Sequence, residues 1–97
     1  MKQFLIVSYD ISDNKRRLKV MKTLQDHGAR VQYSVFECRL LEPQIEKLKK
    51  RLQPLVKEPQ DSIRFYFLSV DDVARTLVLS GQSGARGVAP EKNFIIQ

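Results

Sequence analysis

Asp10 is the first residue of this chain at a place where a side chain could do chemistry. It comes at the end of an apolar run, residues 4–11 (FLIVSYDI), and just ahead of a cluster of cations, Lys15, Arg16, Arg17, Lys19 and Lys22. A carboxylate at such a boundary can bind a hard cation such as Mg²⁺, with water completing the octahedron. It can equally cap the turn into a following helix, a task for which Ser12 and Asp13 also stand ready. The cations beside it also have two readings. Arginine pairs bidentately with phosphate oxygens, but a run of lysines and arginines is also what a solvated helix face looks like. Arg30 and Arg39 flank a later apolar segment and could extend a phosphate-binding patch. A second basic group, Lys47, Lys49, Lys50 and Arg51, has Glu42 and Glu46 close in sequence, and there ion pairing within a helix is the better reading.

Other chemistries are poorly supplied. Cys38 is the single cysteine, so an internal disulfide and a cysteine-rich zinc site are excluded, and its apolar surroundings suit a buried structural thiol. His27 is the single histidine and suits a helix C-terminus, where its charge complements the dipole. Tyr9, Tyr33, Tyr66 and the five phenylalanines fall mostly at core spacing, with Tyr9 or Tyr33 as candidates for base stacking at an edge. The glycines at 81, 84 and 87 lack the GK[ST] and the strand-to-helix setting of a phosphate loop.

The elements that must position these residues follow from periodicity. Residues 4–11, apolar on both faces, read as a central strand. Asn14 to about Asp26 reads as a helix with Leu18, Val20, Met21 and Leu24 on one stripe, stopped by Gly28. Within residues 29–41 the alternation changes parity between Tyr33 and Phe36, which one regular strand cannot do, so two short strands joined by a tight hairpin or bulge are expected. Pro43 opens a second helix with Ile45, Leu48, Leu52 and Leu55 on one face. Residues 61–70 read as a strand and residues 71–74 as a turn or short helical piece. Residues 75–79 and 93–96 read as fifth and sixth strands around a glycine loop.

The order β-α-β-β-α-β predicts an α+β, ferredoxin-like domain with extra C-terminal strands. Its 97 residues make one domain, with a core over about 1–80 and an extension over about 81–97. So small a core would gain from a second copy packed sheet to sheet, which predicts a homodimer. A balance of 17 Lys and Arg against 11 Asp and Glu, net +6, suits a polyanionic partner. No stretch is long and apolar enough to span a bilayer, and residues 1–3 lead straight into a strand without a signal-peptide pattern, so the cytoplasm is the expected compartment.

Two segments carry a more specific message. Tyr9-Asp10-Ile11-Ser12-Asp13-Asn14-Lys15-Arg16-Arg17, ending an apolar strand, resembles the first signature of the CRISPR-associated Cas2 family. Arg30-Val31-Gln32-Tyr33-Ser34-Val35-Phe36-Glu37-Cys38 is similar to its second, and Arg64-Phe65-Tyr66-Phe67-Leu68 to its third strand. The match covers roughly residues 1–80, and the tail matches loosely. The resemblance implies a homodimer whose C-terminal strands complete the partner's sheet. It implies a part in CRISPR spacer acquisition, bridging the CRISPR integrase and holding protospacer double-stranded DNA. It also implies Mg²⁺-dependent endonuclease activity on RNA or double-stranded DNA. On this resemblance Asp10 is the metal-binding and catalytic aspartate. Lys15, Arg16, Arg17 and Lys19 on the basic helix, with Arg30, Tyr33, Ser34 and Phe36 on the hairpin, bind nucleic acid.

Three readings remain open. The first is a Mg²⁺-dependent phosphodiesterase using Asp10. One evident carboxylate per subunit is sparse for such a site, so the first strands of two copies would have to bring their aspartates together across the dimer axis. The second is a non-catalytic scaffold that clamps duplex DNA by charge and shape. The third, a ferredoxin-like regulator that binds a metabolite, is disfavoured by the basic helix and by the lack of a glycine-rich ligand turn.

Overall fold

The computed structural model describes residues 1–79. The strand expected at 93–96, the glycine loop and the extension over 81–97 lie outside the described residues. The elements run β1 (Gln3–Asp10), α1 (Asn14–Gln25), β2 (Gly28–Gln32), β3 (Val35–Leu40), α2 (Glu42–Leu52), a 3-10 turn (Gln53–Leu55), β4 (Ser62–Leu68) and α3 (Val70–Ala74). The sheet order is β2-β3-β1-β4 and every neighbouring pair is antiparallel. With two helices inserted in this order, that is the ferredoxin-like arrangement predicted from the sequence.

Each element has a local cause. Asp13 caps α1, its carboxylate accepting the Arg16 N–H at 2.9 Å. Gln44 reaches back to the Leu41 N–H at 2.7 Å and fixes the start of α2, where Pro43 needs no donor. The change of parity is resolved as two strands with an irregularity between Arg30 and Gln32 and a turn at Tyr33 and Ser34. His27 Nδ1 donates to the Thr23 carbonyl at 2.9 Å, so the histidine does sit at the end of α1.

The core lies between the sheet and the two long helices. Leu5, Val7 and Tyr9 of β1 and Phe36, Cys38 and Leu40 of β3 meet Val20 and Leu24 of α1 and Ile45, Leu48 and Leu52 of α2. Cys38 is fully buried, and burial together with the neighbouring Glu37 pushes its thiol up to about 11, so it stays protonated and inert. The other face of the sheet carries Phe4, Ile6 and Ser8 of β1, Val35, Glu37 and Arg39 of β3, and Arg64, Tyr66 and Leu68 of β4.

Three expectations change. Gly28 is the first residue of β2 and not the stop of α1, which ends at Gln25 with Asp26 as its C-cap. Glycine is required there because a Cβ would come within 2.5 Å of both Cys38 Sγ and the Glu37 carbonyl oxygen. Gly28→Ala should therefore destabilise the fold by about 1–3 kcal/mol, as overpacking does, read as a lower urea midpoint at unchanged slope. Leu18 is off the buried stripe and 47% exposed, because Val20, Thr23 and Leu24 form the inner face of α1. Residues 75–79 form no strand among the described residues. Arg75 closes α3, and Leu77 and Leu79 remain exposed. Their sequence favours extension, but a strand also needs a partner strand, and residues 75–79 pair with none of the described strands.

Candidate nucleic-acid interface

Where β1 runs out beside the β2–β3 hairpin, a groove of about 600 Å³ opens against α1. Its floor is Tyr9, Asp10 and Ile11, and its far wall is Arg30, Tyr33 and Ser34. The near wall is Asn14, Arg17, Leu18 and Met21. Those four are spaced three, four and seven residues from the first, the spacing of a single helix face.

Asp10 is exposed, and among the described residues its carboxylate has no hydrogen-bond or ion-pair partner. The capping role open to it from sequence belongs to Asp13. The residue that organises the turn is Asp61, whose side chain is fully buried. Its Oδ1 accepts from the Ser12 N–H at 2.9 Å and the Ser12 hydroxyl at 3.0 Å. Its Oδ2 accepts from the N–H groups of Lys57 at 3.1 Å and Glu58 at 2.9 Å, and from Arg16. The Glu58 and Ser12 backbone donors, with Arg16 and Lys57, hold this carboxyl far below the usual carboxylate range against the opposing effect of burial. With these tasks taken by Asp13 and Asp61, Asp10 is left unpaired at the mouth of the groove.

Two guanidiniums flank it, each oriented by a backbone carbonyl. Arg17 donates to the Ile11 carbonyl at 3.0 Å. Arg30 donates through Nε to the Tyr33 carbonyl at 3.1 Å and lies over the Tyr33 ring, 5.5 Å from its centre. The Tyr33 carbonyl also accepts the Tyr9 hydroxyl at 3.0 Å, and the Tyr9 N–H donates to the Ser34 carbonyl at 3.1 Å. Tyr9 therefore ties the hairpin tip to the strand end that carries Asp10. Burial raises its phenol above the usual value, while Arg30 and Arg17 pull it the other way, so it remains a hydroxyl donor at neutral pH. Tyr33 itself is 87% exposed, an aromatic face on which a base can stack beside an arginine.

The groove thus brings together Asp10, Arg17, Arg30, Tyr33 and Ser34 of the expected set. Lys15 and Lys19 lie on a different exposed face of α1, outside the groove lining. Arg16 has another task. Its side chain is 12% exposed and its guanidinium is bound to Asp61 and to the Leu55 carbonyl, the latter at 2.7 Å. Phe36 is fully buried against Tyr9, so its ring supports the hairpin from beneath and does not face solution. Sequence reasoning missed Asn14 and gave Asp61 no role. Asn14 could have been found from its helical spacing to Arg17, Leu18 and Met21. Asp61 was hard to single out because two of its partners, Ser12 and Arg16, lie 49 and 45 residues away, and only the Lys57 and Glu58 N–H groups are local.

No group of three or more His, Cys, Asp or Glu side chains able to hold a metal occurs among the described residues. The described residues of one chain therefore build no cage of protein ligands. The unpaired Asp10 carboxylate fits the sparser mode of Mg²⁺, which takes one or two carboxylates and fills its remaining positions with water and phosphate oxygens. No described helix is long and apolar enough to cross a membrane.

A family profile described as CRISPR associated protein Cas2 matches residues 1–76. A protein of Chloroflexus aurantiacus named CRISPR-associated endoribonuclease Cas2 3 is 45% identical over 78 residues, covering 80% of this chain and 84% of its own. The crystal structure of Streptococcus pyogenes Cas2 superposes with a TM-score of 0.70 at 36% identity, over 79% of this chain and 99% of that one. A chain from a structure of a partial Cas6-RT-Cas1–Cas2 complex matches with a TM-score of 0.67 at 32% identity, over 78% of this chain and 82% of its own.

Proposed function

Because the chain belongs to the CRISPR-associated Cas2 family, we propose that it serves in CRISPR spacer acquisition as a homodimer that holds double-stranded DNA and bridges the integrase. The observation that carries this reading is the groove in which Arg17 and Arg30, each held by a backbone carbonyl, stand on either side of the unpaired Asp10. Pre-oriented guanidiniums suit phosphate oxygens and lose little freedom on binding. A net charge of +6 supplies the longer-range attraction. Lys15 and Lys19, exposed on the next face of α1, extend the contact along the backbone of the same duplex. Contacts of this kind read charge and shape, so preference among sequences should be slight. The structural match to a chain of a Cas1–Cas2 complex supports an integrase partner. Work on nucleic acid of this kind belongs in the cytoplasm.

A second copy would cover the face of the sheet turned away from the helices. Exposed Leu77 and Leu79 support a further contact in which the segment after α3 adds to the edge of the partner's sheet.

A second reading, cleavage of phosphodiester bonds in RNA or duplex DNA, is favoured by the unpaired state of Asp10 and by the endoribonuclease names of relatives. Asp10 of each copy would hold Mg²⁺, which supplies Lewis-acid polarisation and an activated water when bound. The chain's own part is to bring the phosphate to the carboxylate with Arg17 and Arg30 and to offset the charge that builds on it.

The test of the binding reading is the doubly neutralised Arg17→Gln, Arg30→Gln protein. Its affinity for duplex DNA near 0.1 M salt should fall at least about 10-fold, and the slope of log K against log salt should drop by roughly two, about one per lost phosphate contact. An unchanged slope would remove both arginines from the phosphate interface.

A further inference from the structure

On the sheet face turned away from the helices, two atoms of opposite charge type are buried without a hydrogen-bond partner among the described residues: Glu37 Oε1 and Arg39 Nε. They lie two residues apart on β3, opposite Ile6 and Phe4 of β1, so both side chains project from the same face. Within the chain they form no ion pair with each other. Arg39 instead rests its guanidinium over the Phe4 ring, 5.5 Å from the centre. Burial raises the Glu37 carboxyl above its usual value. A buried polar atom left without a hydrogen bond is costly, and an acceptor and a donor of opposite charge side by side on a sheet face point to a shared missing partner.

A two-fold interface uses the same patch from both copies, so it must be self-complementary. Neighbouring opposite charges on one strand satisfy that condition, because one copy's acid can meet the other's base and the reverse. Other candidates on this face are more distant. Arg64 lies on β4, across β1 from Glu37 and Arg39, and Asp10 lies at the far end of β1. Around the pair the face is apolar, with Phe4, Ile6, Val35 and Leu68 partly buried, which would exclude water from the contact. Residues two apart on a strand are separated by about 6.8 Å and stacked sheets by about 10 Å, a gap that a glutamate and an arginine reaching from opposite sides can close.

We propose that Glu37 pairs with the partner's Arg39, and Arg39 with the partner's Glu37, and that this doubled ion pair sets the register of the two sheets. The inference rests on the homodimer reading above and adds what holds the sheets in one alignment. A slipped alignment would place like charges together, which is the best-attested use of buried ionic groups at an interface.

The experiment measures dimer dissociation by sedimentation for the wild-type chain, for Glu37→Arg and Arg39→Glu separately, and for their equimolar mixture. Each reversal alone places like charges in contact and should weaken the dimer at least 100-fold. The mixture restores both pairs and should return to a dimer of mixed composition, provided circular dichroism shows each variant folded. The milder Glu37→Gln and Arg39→Gln proteins, which keep the shape, should each weaken the dimer about 10-fold and serve if a reversal does not fold. A dimeric wild type with reversals and neutral variants that dimerise equally well would overturn the ion pair and leave the homodimer standing, as would folded reversals whose mixture stays monomeric. A wild type that is monomeric throughout, with this face covered by another part of the chain, would overturn both.

Discussion

Asp10→Asn should reduce metal-dependent cleavage of RNA or duplex DNA by at least about 100-fold while leaving the thermal midpoint within about 1–2 °C of wild type. The second half of the expectation is as diagnostic as the first. The Asp10 carboxylate has no hydrogen-bond or ion-pair partner among the described residues and is exposed, and surface changes of that kind stay within about 0.5 kcal/mol. Asparagine keeps the shape and removes the charge needed to hold a hard cation. DNA affinity should be unchanged or slightly higher, since Arg17 and Arg30 remain and a negative charge beside the phosphate is gone. The measurement is a cleavage time course with and without Mg²⁺, run beside a spacer-integration assay with the integrase. Lost cleavage with intact integration separates the catalytic and scaffold roles in one protein. Cleavage that persists unchanged would leave Asp10 without a part in the chemistry.

Asp61→Asn should do the opposite, lowering the midpoint at pH 7 by on the order of 10 °C. Whichever way the amide is turned, its NH₂ replaces an acceptor that faces several donors. One side meets the Ser12 N–H and hydroxyl, the other the Lys57 and Glu58 N–H groups and Arg16. The loss would loosen the β1–α1 turn, the start of α1 and the linker into β4 together, and with them the near wall of the groove. The pH dependence gives an independent check. The folded-state value is depressed, so the stabilisation is fully present above the unfolded-state value near 4 and is lost as pH falls below it toward the folded one. The gap between wild-type and variant midpoints should therefore be widest at neutral pH and narrow steadily below about pH 4. A gap that stays constant down to pH 2.5 would show that charge at Asp61 contributes nothing.

Much of this was legible in the sequence because it depends on periodicity and short-range chemistry. The parity change between Tyr33 and Phe36 can only be met by a break in the strand, and the structure has a turn at Tyr33 and Ser34. Ile45, Leu48 and Leu52 lie on one helix face and are all buried. Lys49 and Glu46 form the expected pair within α2, at 3.1 Å. Asp10 sits at the end of β1, as an apolar run that turns polar at Tyr9 and Asp10 implies.

Arg16 marks the boundary of what such reading can do. Its type and its basic neighbours suggest a phosphate contact, yet it lies four residues before Val20 and eight before Leu24, on the face of α1 that turns inward. Spacing alone hinted at that orientation. What makes it tolerable is Asp61, a residue 45 positions away that arrives beside it only when β4 joins β1. The same holds for the choice among three carboxylates at this end of the molecule. Residue type made Asp10, Asp13 and Asp61 equivalent, and local sequence could favour a cap at either of the first two. Hydrogen bonds from Ser12, Lys57, Glu58 and Arg16 bury one, the N–H of Arg16 engages another, and Asp10 alone remains for a ligand. Sequence determined the elements and their apolar faces, because those follow from backbone geometry repeated along the chain. Tertiary structure decided which charges are internal and which face the groove, because the sign and fate of a buried charge depend on partners brought from distant segments.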